Sequence, residues 1–379
     1  MLVVFSGNTS WGMYNFRVGL IKKFKAFGYE VCVVAPEDEY SARFEAEGIR
    51  FCRIKCLKRF SINPLQDVLL YREYVKIYQS LQPAFIFHYT IKPNIYGTLA
   101  ARFCHIKCIS ITTGLGNAFA NKGILFYLAR KLYKLSSRFA LEVWFLNRGD
   151  RTMFIKNNII PGHKSFILPG EGIDTSLFTP SSISPEKGVT TFLLFSRMQY
   201  DKGIEIFAEA SRMLLKKGYA VSCILLGQIE EDNPEAIPRA TIERWEEEGI
   251  VKYLGSTPDV RAYIETADVV VLPTYYREGI PKVLLEAACM AKPIITTRTN
   301  GCIEVVDDGI NGYLCEIKSA DDLAVNMEKF IQLPATKKLQ MGIAGRKKME
   351  EEFDEKIIID IYKQKLEQYT QLKPSLTLP

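Results

Sequence analysis

The sequence predicts an α/β protein of two doubly wound, Rossmann-like domains facing each other across a cleft. Three observations carry that prediction. At 379 residues the chain exceeds one ordinary core, and its length favours two domains of ~150–200 residues. Each half alternates short, apolar, β-rich runs with longer helical patterns. A stretch rich in Gly, Pro and Ser separates the two halves.

In the first half the apolar runs occur at 1–6, 30–35, 50–56, 84–88, 107–112 and 142–146, with helical patterns between them such as 14–28, 66–80 and 94–104. In the second half they occur at 190–196, 220–227, 250–254, 268–273 and 293–297. Continuous apolar strands separated by helices indicate parallel sheets covered on both faces. The connector is expected over 169–188, from Pro169-Gly170-Glu171-Gly172 to Ser184-Pro185. The segment after Phe353 reads as a helix that returns to the first domain. The expected domains are therefore 1–170, 171–355 and a helical tail over 356–379. In sheets of this kind ligands sit beyond the carboxyl ends of the strands, so the chemistry belongs in the loops that follow them.

Composition narrows the class. Hydrophobic residues make up 47% and charged residues 24%, an ordinary globular balance. The chain opens directly on a strand-like run, with no secretory signal expected, and no apolar run reaches the ~18 residues of a membrane span. Nine cysteines form no CxxC pair, and Cys52/Cys56 and Cys104/Cys108 with His105 make a poor zinc site, so buried structural thiols in a reducing cytoplasm are expected. Residues 1–180 carry 24 Lys/Arg against 12 Asp/Glu, whereas the remainder carries 25 against 31. Within 50–138 the acidic residues are Asp67 and Glu73 alone. A basic first half suggests an anionic partner. The absence of a zinc finger or an RNA-recognition signature argues against nucleic acid.

Two constellations carry chemistry. Tyr276-Arg277-Glu278-Gly279-Ile280-Pro281-Lys282 follows a strand, and Pro281 suits the first turn of the next helix. Backbone N–H groups near Gly279 and Ile280 would form an anion site. Glu278 on the loop could accept hydrogen bonds from sugar hydroxyls, and Glu286 on the helix could hold a ribose diol. Alternatively Glu278 complements the helix dipole and Glu286 is solvated. The second constellation is Ser196-Arg197-Met198-Gln199-Tyr200-Asp201-Lys202-Gly203, also after a strand. Two cations near a helix N-terminus are opposed by the dipole unless an anion lies between them. A diphosphate leaving group gains charge as its bond breaks, and Arg197 and Lys202 would stabilise it. The alternative is a pair of solvated surface cations.

Arg197 with Lys202, and Glu278 with Glu286, resemble the paired signatures of the retaining glycosyltransferases of family 4, which have the GT-B fold. Gly170-Glu171-Gly172-Ile173-Asp174, Phe178-Thr179-Pro180, Ala267-Asp268 and Asp308-Gly309-Ile310-Asn311-Gly312-Tyr313 match as well. Asn15-Phe16-Arg17, His88 with Lys92-Pro93-Asn94, and Thr113-Gly114-Leu115-Gly116 resemble the branch that adds N-acetylgalactosamine or a related hexose to polyprenyl-diphosphate-linked saccharides. The resemblance implies that Arg197 and Lys202 bind the donor diphosphate and that Glu278 contacts the donor sugar. Gly279, Ile280 and Pro281 would shape the donor site, Glu286 would bind the ribose, and Gly227 at a strand end would be a further donor contact. It implies retention of configuration by reaction on one face, with the departing diphosphate oxygen taking the acceptor proton. It also implies a UDP-linked donor, no cofactor and no metal, and the chain lacks an Asp-x-Asp triplet.

The first-half loops would take the acceptor. Gly7, Asn8 and Thr9 follow the first strand, and small residues there permit close approach. Thr113 and Gly114 either line the cleft or make a tight turn. His88 either lies near the donor sugar or is a satisfied strand-end histidine. The segment 124–134, with Arg130, Lys131 and Lys134 among aromatic and aliphatic residues, reads as an interfacial helix on an anionic inner membrane face or as an ordinary packed helix. The rival activity is a nucleotide-sugar 2-epimerase of the same architecture. With three histidines in the chain and both cation and carboxylate pairs intact, transfer is favoured. A dehydrogenase lacks its glycine fingerprint. A glycosidase would need Glu278 and Glu286 aimed at one bond.

Overall fold

The computed structural model describes residues 1–58, 63–115, 124–180, 188–230 and 233–370. Gly116, residues 181–187 of the expected connector, the tail beyond 370 and the side chains of residues 124–126 lie outside the described residues. The chain divides into two units, one comprising Met1–Glu171 with the returning segment from Glu355, the other Gly172–Asp354.

The first unit is built on a parallel sheet. Its strands are β1 (Leu2–Ser6), β2 (Glu30–Ala35), β3 (Arg50–Arg53), β4 (Phe85–Tyr89), β5 (Lys107–Thr112), β6 (Val143–Phe145) and β7 (Ser165–Ile167), in the order β3-β2-β1-β4-β5-β6-β7. All five residues of β4 are buried, which explains the unbroken apolar run: helices cover the sheet on both faces. Under one face Phe5 meets Phe24 and Phe87 at 5.5 and 5.4 Å between ring centroids. The helix Glu355–Thr370 completes that layer. Its Tyr362 lies 5.0 Å from Phe87 and 4.8 Å from Trp144. Glu142 anchors it, accepting from Lys365 Nζ at 2.6 Å, Tyr369 Oη at 2.5 Å and Trp144 Nε1 at 2.6 Å. Burial alone would raise the Glu142 carboxyl, but these three donors outweigh it and hold the group below its usual range.

The second unit holds β8 (Thr190–Phe195), β9 (Val221–Leu226), β10 (Lys252–Tyr253), β11 (Val269–Leu272), β12 (Ile294–Thr297) and β13 (Gly312–Cys315). They form a second parallel sheet in the order β10-β9-β8-β11-β12-β13. In both sheets the order reverses beside the first strand, between β1 and β4 and between β8 and β11. The two doubly wound units are as expected.

Three local features differ from expectation. β7 and β13 were not anticipated, being short and only partly apolar. The first helix spans Ser10–Ala26 and starts four residues before its apolar pattern, because the Thr9 side chain caps it by accepting from the Gly12 N–H at 3.0 Å. The expected connector is not free-standing over its first part. Ile173, Thr175 and Phe178 are buried against the second unit, and Arg346 donates to the carbonyls of Thr175, Phe178 and Cys289 at 3.0, 2.5 and 2.8 Å. The chain enters and leaves this unit side by side, with Ile173 N–H donating to the Phe353 carbonyl at 2.9 Å and Thr175 hydrogen-bonded to Asp354.

Candidate active site

The site builds up from the reversal between β8 and β11. The loops leaving these two neighbouring strands lie beyond the carboxyl ends of the sheet, where doubly wound folds receive ligands. The loop after β8 carries Arg197 and runs into the turn Tyr200–Lys202, then Gly203 and the helix Ile204–Lys216. The loop after β11 carries Glu278 and leads to the helix Lys282–Cys289. The two loops are bound together through the Asp201 carbonyl, which accepts from the N–H groups of Tyr275 and Tyr276 at 3.0 and 3.2 Å and from Thr274 Oγ1 at 3.0 Å.

Two glycines permit this close packing. Gly203 has φ +78°, and a Cβ there would lie 2.2 Å from the Pro273 carbonyl oxygen. Gly227, just past β9, has φ +151°, and a Cβ would lie 1.6 Å from the Ser196 carbonyl oxygen. Gly227 therefore fixes the backbone beside Arg197, which is a conformational reason for the glycine at a position expected to be a donor contact.

Lys202 Nζ donates a short hydrogen bond to Glu278 Oε1, and the two side chains are only 10% and 19% exposed. The Tyr276 ring lies 5.2 Å from the ammonium. Withdrawing both charges from water costs several kcal/mol per ion, so a pair of this kind is weak support for the fold and stronger support for function. Arg197 is more open, 3.6 Å from Glu230. Neither cation is a free surface lysine or arginine. Each faces a carboxylate, Lys202 that of Glu278 and Arg197 that of Glu230.

Pro281 lies immediately before the helix, in an extended conformation, and not in its first turn. Gly279 and Pro281 are buried, and Ile280 is half-buried against the core. Glu286 is not solvated. Burial pushes its carboxyl up to about 7, opposed by Lys282 at 3.8 Å. In the unfolded chain the same group titrates near 4.5. The folded state thus holds a proton that the unfolded state has lost, and Glu286 makes stability fall as pH rises from about 4.5 to about 7. Glu286→Gln is expected to flatten that part of a melting-temperature profile. If Glu286 accepts from a diol, ligand affinity moves the opposite way, strengthening as pH rises through about 7. Melting-temperature profiles check the first sign, and calorimetric titration with a nucleotide diphosphate at pH 6 and pH 8 checks the second.

Three participants were not singled out from sequence: Asp201, Glu230 and Thr274. Asp201 Oδ1 is buried without a partner among the described residues. Burial, reinforced by Glu278 and opposed by Lys202, raises its carboxyl. The only signal in the sequence was its place between Arg197 and Lys202.

In the first unit the corresponding reversal lies between β1 and β4. Gly7 is buried and donates to the Val34 carbonyl at 3.1 Å, Asn8 is half-buried, and Thr9 caps the helix. Thr113 and Gly114 follow β5 and are half-buried, with Gly114 at φ +133°. Arg17 Nη1 donates to the Gly12 carbonyl at 3.1 Å, Nη2 pairs with Glu171, and the guanidinium stacks 4.2 Å over Tyr89. Arg17 thereby ties the first turn of the helix Ser10–Ala26 to Glu171 and Tyr89. His88 lies inside the core. It is fully buried, with Nε2 bonded to Tyr78 Oη at 2.8 Å and Nδ1 to Thr98 Oγ1 at 3.3 Å. Burial lowers its pKa to about 3, so the ring is a neutral core group and the satisfied strand-end reading holds.

Comparison with known proteins gives a consistent set of likenesses. Residues 189–333 match the family profile described as glycosyl transferases group 1, and residues 3–147 match the profile described as glycosyl transferase 4-like. The chain is 29% identical over 379 residues to the N,N'-diacetylbacillosaminyl-diphospho-undecaprenol alpha-1,3-N-acetylgalactosaminyltransferase of Campylobacter jejuni, covering 96% of this chain and 97% of the relative. It is 23% identical over 351 residues to the capsular polysaccharide biosynthesis glycosyltransferase CapM of Staphylococcus aureus, covering 90% of each. Among solved structures, a glycosyltransferase from Rickettsia africae superposes with a TM-score of 0.81 at 17% identity, covering 98% of this chain and 99% of that one. HepE of Anabaena, in complex with UDP, superposes with a TM-score of 0.80 at 18% identity, covering 97% and 100%.

Proposed function

Since this chain belongs to the group 1, family-4-like glycosyltransferases and has the GT-B fold, we propose that it moves an N-acetylhexosamine from UDP to a polyprenyl-diphosphate-linked saccharide, with retention of configuration and without a metal. The observation that carries the reading is the enclosed Lys202–Glu278 pair at the β8–β11 reversal. The acceptor follows the Campylobacter relative, whose name specifies such a lipid-linked acceptor, over nearly the full length of both chains. The UDP donor follows the same branch and the nucleotide bound by HepE.

In this reading Arg197 and Lys202 meet the donor diphosphate, Glu278 the sugar hydroxyls and Glu286 the ribose diol. The bond from the anomeric carbon to the diphosphate oxygen breaks as a bond to the acceptor oxygen forms. The acceptor proton passes to the departing diphosphate oxygen. Lys202 gains most at that moment, because it faces charge that grows only as the bond breaks. Gly7, Asn8, Thr9, Thr113 and Gly114 form the acceptor loops of the first unit. Among the described residues no helix is long and apolar enough to cross a membrane. We assign the contact with a lipid-borne acceptor to peripheral attachment of the basic first half to the anionic inner face of the cytoplasmic membrane.

Thermal shift against a panel of nucleotide diphosphates and nucleotide sugars, with chelator present, tests the donor. A ligand at 100 times its Kd stabilises by about 2.7 kcal/mol. The expected result is selective stabilisation by UDP and a UDP-N-acetylhexosamine, lost when Arg197 and Lys202 are both replaced by alanine. Stabilisation that requires divalent metal, or selectivity for another base, would overturn the donor assignment. UDP released only when acceptor is added would separate transfer from epimerisation.

A further inference from the structure

Between Glu73 and Glu142 the chain carries nine Lys/Arg and no Asp or Glu. The helix Ile124–Ser136 lies in this stretch. It buries Ala129, Tyr133 and Ser136 against the body of the first unit and turns Tyr127, Leu128, Lys131, Lys134 and Leu135 outward. Tyr127 is 54% exposed, Leu128 47% and Leu135 43%, so apolar and cationic side chains alternate on one open face. Arg130 is not part of that face, since its guanidinium donates to the Asn157 carbonyl at 2.7 Å. The face continues past the helix through Arg138 and Phe139, with Arg102 5.7 Å over the Phe139 ring and Phe103 58% exposed beside Arg102 in sequence.

At the carboxyl end of this helix lies an open cavity of about 400 Å³. Lys134, Arg138 and Lys164 contribute its cations, and Pro161 is its exposed apolar residue, Ile159 and Ile160 being turned into the core. A helix carboxyl end ordinarily repels anions through its exposed carbonyls. Here Lys164 Nζ donates to the carbonyls of Ser137, Arg138 and Ala140 at 3.3, 2.8 and 2.9 Å and cancels that repulsion. The ammonium of Lys134 and the guanidinium fork of Arg138 line the cavity with no acidic side chain in the stretch to oppose them. A cationic cavity beside the exposed Leu135 and Phe139 suits an amphiphile that joins a phosphate to hydrocarbon.

We propose that this cavity binds the headgroup phosphate of an anionic phospholipid in a bilayer, seating the exposed face of Ile124–Ser136 on the membrane. The inference rests on the peripheral-membrane reading above and names the contact that makes it. Charge complementarity selects the occupant, and the exposed Leu128, Leu135 and Phe139 supply the insertion that a free phosphate would not need.

Flotation of the full chain with vesicles of phosphatidylglycerol and phosphatidylcholine, or of phosphatidylcholine alone, tests it. The chain is expected to float with the anionic vesicles only, and less at high salt. Lys134→Glu with Arg138→Glu should weaken binding about thirtyfold or more, taking each cation at its usual membrane contribution. Leu135→Ser should weaken it without changing the salt dependence, and Lys347→Glu on the second unit should do nothing. Equal flotation with both vesicle types, or a double variant that floats like the parent, would overturn the proposal. So would inorganic phosphate competing vesicles off at millimolar concentration, which would make this a free-phosphate site. UDP binding retained by the double variant shows that it is folded. It also separates failure here from failure of the transferase reading. If UDP binding is lost, Lys134→Gln with Arg138→Gln decides by the same criterion.

Discussion

Lys202→Ala is expected to lower turnover roughly a hundred- to a thousandfold, the usual cost of removing one preorganised group facing transition-state charge. The effect should fall on kcat more than on donor affinity, because the diphosphate gains charge only as the sugar bond breaks. The same substitution leaves Glu278 enclosed without its ammonium, which costs stability as well. Glu278→Gln resolves the two contributions. Lys202 and Glu278 touch, so the double variant should lose less than the two single losses combined, in melting temperature and in rate. Turnover within threefold of the parent in Lys202→Ala, with UDP binding intact, would remove Lys202 from the transition state.

Gly227→Ala should be the most damaging single methyl group in the second unit. The added carbon would sit 1.6 Å from the Ser196 carbonyl oxygen, and φ +151° excludes an alanine even with space available. The obstacle is backbone, so no rotamer change can relieve it. A loss of roughly 3–5 kcal/mol is expected, at the upper end of single substitutions. Gly227 also donates to the Gly255 carbonyl at 2.6 Å, and its own carbonyl accepts from Tyr253 Oη at 2.7 Å, so a shift there moves the loop bearing Arg197. Urea unfolding and UDP titration should therefore fail together. A variant with near-parental stability would mean that the β8 and β9 loops are less tightly joined than described.

Much of this was legible because parallel strands covered on both faces write themselves as apolar runs. The run 107–112 coincides with β5, and 30–35 with β2. β7 and β13 were hidden because Ser-Phe-Ile and Gly-Tyr-Leu-Cys are too short to show a period. The start of the first helix was hidden because a cap is a side-chain bond, not a hydrophobic repeat. At the site, spacing named Arg197, Lys202, Glu278 and Glu286, since motifs record which residues lie in the strand-end loops. Spacing could not show that Lys202 and Glu278 neutralise each other, nor that burial carries Glu286 up to about 7. His88 was ambiguous for the same reason. A strand-end position is compatible with either face, and only Tyr78 and Thr98 on its two nitrogens decide it.

The order in which the chain is made gives a different meaning to its return at Glu355. The second unit is an insert between Glu171 and Glu355, so a ribosome completes it before the first unit receives its last helix. Until residues 355–370 emerge, Phe87 and Trp144 lack the Tyr362 ring that packs on them, and Glu142 lacks Lys365 and Tyr369. A nascent chain stalled near residue 354 would thus hold a finished second unit and a first sheet with one face only partly covered. Such a face is a natural target for chaperones during synthesis. It also makes the first unit, though synthesised first, the last to become secure.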